Sequence, residues 1–141
     1  MIHDIEPILL TAIRDALIKE YPKITVISEH QNKPSSFPCV MFYESNNSTF
    51  LGTTDNLGEH HAEVSYMCEM YANNDKRKRS IVKDIATIID DVLVPLGFTR
   101  MSKTFEYRSN DSTIAAITAV YHGIIGESPS SNNNDVRIYR R

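Results

Sequence analysis

The chain has 141 residues, 41% of them hydrophobic and 23% charged, with a formal net charge of −3. That length and apolar content fit one globular domain around a single core and exclude wholesale disorder. The mild acidity is a poor electrostatic match for a dedicated duplex-DNA binder, which neutralises phosphates with clustered cations.

The first segment predicts a helix. Asp4 offers a cap, Glu6 and Pro7 suit the first turn, and Ile5, Ile8, Leu9, Ala12, Ile13, Ala16 and Leu17 recur at helical spacing. Tyr21-Pro22 ends it, because the residue before a proline disfavours helical backbone. Ile24 to Glu29 predicts a short strand rich in β-branched residues. A polar loop over 30–36 leads to Phe37-Pro38, and Cys39 to Glu44 predicts a buried strand with proline confined to its entry. Residues 45–58, full of Asn, Ser, Thr and Gly and interrupted by Phe50 and Leu51, predict a long connection of the kind that usually serves function.

Alternation returns at Glu59. Ala62, Val64, Tyr66, Cys68 and Met70 form one face of a strand; His61, Glu63, Ser65, Met67, Glu69 and Tyr71 form the other. Asn73-Asn74-Asp75 breaks it and offers caps for a second helix, whose apolar stripe is Ile81, Val82, Ile85, Ile88, Ile89, Val92 and Leu93. Pro95 and Gly97 close that helix. Phe98 to Met101 begins another strand, 109–112 is a turn cluster, and Thr113 to Ile125 has the residues of a long strand. Residues 128–134 have almost nothing to bury, so 128–141 predict a flexible tail, basic because it holds Arg137, Arg140 and Arg141 against Asp135. The fold class expected is α+β: a single domain over 1–127, with a mostly antiparallel β-sheet flanked by two amphipathic helices in the order α-β-β-β-α-β-β.

Chemistry is sparse. His61-Ala62-Glu63 matches half of a zinc-deaminase signature, but no Pro-Cys-x-x-Cys follows to supply the thiolate ligands. His60 and His61 are adjacent on a strand and point to opposite faces, which disfavours chelation of one ion. No nucleophile elbow, phosphate loop or dinucleotide fingerprint occurs. Cys39 and Cys68 each sit in an apolar run and predict reduced, buried thiols. No stretch approaches a membrane-spanning length, and the N-terminus lacks a continuous apolar signal core. The expectation is a protein that is not an enzyme and uses no metal or cofactor.

Lys76-Arg77-Lys78-Arg79 is the sharpest charge feature. It falls in the first turn of a helix, where the dipole is already positive, so it reads either as an electrostatic contact with an acidic partner or phosphate backbone, or as a solvated helix start. Met67 and Tyr71, apolar residues on the more polar face of their strand, read either as part of a subunit interface or as packing beneath a helix.

Taken in order, these features carry a resemblance: an amphipathic helix ending in Tyr21-Pro22; Phe37-Pro38-Cys39-Val40 opening a strand; a polar loop before Glu59; a strand rich in Tyr and Met; a helix closing with Leu96-Gly97-Phe98-Thr99-Arg100; and a last strand from Asp111-Ser112-Thr113-Ile114. Over residues 1–127 the chain resembles the tail-terminator, or tail-to-head joining, family of long-tailed bacteriophages, also called tail completion or minor capsid proteins. The resemblance implies a structural virion protein that caps the tail tube as a hexameric ring and joins it to the head. Its partners would be further copies of itself, the tail tube protein, and a head-side connector or head completion protein. DNA would pass through the ring without sequence-specific binding, and no membrane would be involved. The implied location is the head–tail interface of the virion, after synthesis in the host cytoplasm. Interface residues expected on this basis are Phe50, Leu51 and Asp55 in the loop, Met67 and Tyr71 on the strand, Lys76, Arg77, Lys78 and Arg79, and the tail arginines Arg137, Arg140 and Arg141. The basic run is not a feature the family requires. The alternative reading is a small nucleic-acid-binding module that uses Lys76 to Arg79 and the C-terminal arginines.

Overall fold

A computed structural model describes residues 5–49, 61–73, 76–106, 113–127 and 136–139. The first helix, α1 (Glu6–Glu20), carries Pro7 in its first turn, where the missing N–H has no helical partner to lose. Its buried row is Ile5, Leu9, Ile13 and Leu17, each four residues from the next. This stripe is narrower than the sequence predicts: Ile8 is 64% exposed, because α1 packs on α2 and on the sheet margin at β1 and β2, so only one row turns inward. Ile5 occupies the N-cap position without a side-chain cap bond, and Asp4 lies outside the described residues. The helix ends at Tyr21, whose N–H still reaches Leu17 O while its backbone leaves helical geometry.

Five strands form the main path of one sheet, in the order β1-β2-β3-β5-β4: β1 (Thr25–Ile27), β2 (Cys39–Thr49), β3 (His61–Ala72), β5 (Ala115–Glu127) and β4 (Thr99–Glu106). Only β1 and β2 run parallel; the other pairs are antiparallel. The second helix, α2 (Lys78–Leu93), lies between β3 and β4 in the chain. Of the expected stripe it buries Val82, Ile85, Ile89 and Leu93, with Ile81, Ile88 and Val92 half-buried, and it buries Ala86 as well. Gly97 ends the connection to β4 with φ 112, a left-handed value that a side chain disfavours. The expected α+β architecture and element order are therefore those observed.

Two segments differ from the sequence reading. Residues 45–49 belong to β2: Ser45 lies at a bulge between Glu44 and Asn46, and 46–49 pair with Ala62 to Ser65. Their polar side chains predict a loop, but strand pairing is made by backbone groups, and a polar margin of a sheet needs no apolar face. Within the tail, Val136–Tyr139 form β6 and pair with Ile124 to Glu127 of β5. The period-two Val-Arg-Ile-Tyr run is the local signal for it.

The helices cover one face of the sheet. The main core lies there, joining the α1 and α2 rows to Val40, Phe42, Val64, Tyr66, Cys68, Met70, Ile117, Ala119 and Tyr121. On the other face the chain between β1 and β2 crosses one end and closes a small second core of Cys39, Met41, Tyr71 and Ala116, with Phe37, Tyr43, Ile27 and Ile114 against it.

Candidate functional site

The pleat sorts residues of the second face into rows. Tyr43, Met67, Val120 and Ser102 lie side by side across four strands, as do Asn46, Ser65, His122 and Thr99. Met67, Val120, Ser65 and His122 are half-buried, and Asn46, Thr99 and Ser102 are exposed. Among the described residues this is the open part of the sheet, and Met67 sits near its middle.

Tyr71 is placed differently. It is fully buried in the closed part, and its hydroxyl donates to Glu69 Oε1 at 2.8 Å. It therefore works inside the protomer, and of the Met67–Tyr71 pair Met67 is the one on the less covered part of the face. Glu69 is the one buried charged side chain among the described residues. Its Oε2 accepts from Tyr43 OH at 2.8 Å and from His30 Nδ1 at 2.7 Å, while His30 Nε2 meets Asn32 Oδ1 at 3.1 Å. Burial would push the Glu69 carboxyl up, but the hydrogen bonds from His30, Tyr71 and Tyr43, with the His30 charge, outweigh it and hold the group below the usual carboxylate range. The sequence gives no signal for this cluster, because His30 is 39 residues from Glu69 and comes from an irregular segment.

The Cys39 thiol is pushed up by burial and by the Glu69 charge, and Cys68, fully buried, is pushed up by burial. Among the described residues no group of three or more His, Cys, Asp or Glu is placed to hold a metal ion. Among the same residues no helix is long and apolar enough to cross a membrane.

Asp90 on α2 forms a second node that sequence reasoning does not reveal. It accepts from Tyr121 OH on β5 and from the Arg100 guanidinium on β4. Burial and the hydrogen bond to Asp90 push the Tyr121 hydroxyl up. Asp84, on the opposite flank of α2, accepts from Tyr21 OH at 2.6 Å, and burial with that bond raises Tyr21 to about 12. Together the two aspartates hold α2 to α1 on one side and to the sheet on the other.

The basic run begins α2. Arg77 occupies the N-cap position with no side-chain cap bond, and the first turn holds no acidic residue. Lys76, Arg77 and Arg79 are exposed and Lys78 is half-buried. The Arg79 guanidinium lies 5.1 Å from the centre of the Phe105 ring, and Lys83 Nζ lies 5.5 Å from it. Of the remaining expected interface residues, Phe50, Leu51, Asp55, Arg140 and Arg141 lie outside the described residues, and Arg137 is placed on β6 opposite Gly126. Neither a protein-family model nor a curated protein matches the chain.

Proposed function

We propose that this protein is a structural assembly unit of a long-tailed phage, one that caps the tail tube as a ring and joins it to the head-side connector. Support comes from the observation that the described strands leave two margins of the sheet without a further strand, on opposite sides. At one, β1 covers only Cys39 to Met41 of the eleven-residue β2; at the other, β4 pairs with β5 alone among the described strands. Contacts between unlike surfaces of identical copies close into rings when the rotation allows. The open second face around Met67 adds a surface with both apolar and polar groups, suited to burial against another copy. In this reading no residue turns over a substrate; the ring stops tube growth, presents a matched surface to the connector and leaves a channel for DNA.

Electron-microscope images of concentrated protein test the reading. Closed rings of about six subunits are expected, the count the family resemblance implies. Open filaments of indefinite length, or two-fold dimers that grow no further, would contradict it.

A further inference from the structure

Along the seam between α2 and β4 the fold gathers cations that are scattered in the sequence. Arg79 and Lys83, four residues apart, share the flank of α2 that faces β4, and both lie over Phe105. By the β4–β5 register, Phe105 pairs with Ile117, Lys103 with Ala119 and Arg100 with Tyr121, so all three side chains belong to the helix-covered face. Lys103 is exposed, and Arg100 is engaged by Asp90. Among the described residues Asp90 is the acid on that flank, and both of its oxygens are engaged, by Arg100 and Tyr121. Asp84 turns to the other flank, toward Tyr21.

This arrangement is unfavourable for the free protein. Like charges four apart on a helix repel by a few tenths of a kcal/mol, and cations in the first turn oppose the helix dipole. Phe105 holds two of the cations in place through its ring face. An anion laid along the seam would reverse each of those penalties.

We infer that the α2–β4 seam, through Arg79, Lys83 and Lys103, binds the phosphate backbone of nucleic acid without reading its sequence. The exposed large apolar side chains near the seam, Val94, Leu96 and Met101, gather at its Arg100 end, and the stretch held by Arg79, Lys83 and Lys103 offers charge. Protein interfaces are built around an apolar and aromatic centre, whereas a polyphosphate is held by Coulombic attraction and counterion release alone. That contrast favours nucleic acid over an acidic protein. The inference stands on a single protomer and does not depend on ring assembly.

The test is fluorescence anisotropy of a labelled mixed-sequence duplex DNA with the full chain, titrated at several salt concentrations. Wild-type protein should bind at low salt, with affinity falling linearly on a log–log plot. The triple variant R79E/K83E/K103E should bind at least tenfold more weakly, with the slope reduced by about 0.9 for each phosphate that is no longer neutralised. A control triple variant at exposed cations elsewhere, K19E/K23E/K33E, changes the net charge equally and should weaken binding far less. Should the first variant fail to fold by circular dichroism, R79Q/K83Q replaces it. Absence of salt-sensitive binding by the wild type, or equal weakening in the two triple variants, would overturn the assignment. So would binding of polyglutamate as tight as that of DNA, which would move the partner to an acidic protein.

Discussion

Glu69 shows how one side chain can hold a whole segment. Three donors from three parts of the chain converge on its carboxylate, and His30 thereby fastens the segment between β1 and β2 over the second core. Replacing Glu69 by Gln removes the charge that these donors serve and should cost about 1–3 kcal/mol in urea denaturation. Folding lowers the pKa of this carboxyl, so its contribution is fully present above the unfolded glutamate value of about 4.3. The contribution is lost as pH falls through the lower native value. Glu69→Gln should therefore flatten the acid limb of the stability profile, and an unchanged limb would place the acid sensitivity elsewhere. Gly123 is a second such point. A Cβ there would stand 2.8 Å from two carbons of the Phe98 ring, which itself packs edge-on against Tyr66. Gly123→Ala should cost about 1–3 kcal/mol by overpacking, measured by thermal unfolding; a neutral result would mean that Phe98 can turn away. At this scale the sequence is nearly silent, since Glu69 looks like any polar residue of an alternating strand and Gly123 like any glycine.

At the scale of elements the sequence is much more explicit. The α2 stripe, the buried face of β3 and the proline-marked end of α1 follow from periodicity and breakers alone, because burial on one side imposes those patterns. What periodicity misses is structure held by backbone pairing without an apolar face, as in residues 45–49 of β2. It equally misses the contacts that fasten elements together. Asp90 latches α2 to β4 and β5, and Asp90→Ala should cost about 1–3 kcal/mol in urea denaturation by leaving Tyr121 and Arg100 without that partner. Met67 is legible as an odd apolar residue on a polar face, and it lies on the open part of the sheet. Met67→Lys should leave the fold intact, since a half-buried site lets the charged end reach water, while weakening self-association at least tenfold in sedimentation equilibrium. Unfolding of that variant, or unchanged association, would remove this face from the proposed interface.

At the scale of the molecule, the described residues form one helix-covered face, one partly open face and two sheet margins without a further strand, surfaces of the kind that contacts between copies use. The proposed function rests on the order of elements, and fold order alone does not specify a task. The central claim is that this surface is used to close a ring of identical copies. It is tested most directly by native mass spectrometry of the full chain across a wide concentration range, alone and with purified tail tubes. The account predicts one dominant closed oligomer of about six subunits, without a ladder of larger species. A monomer at every concentration, with and without tubes, would contradict it.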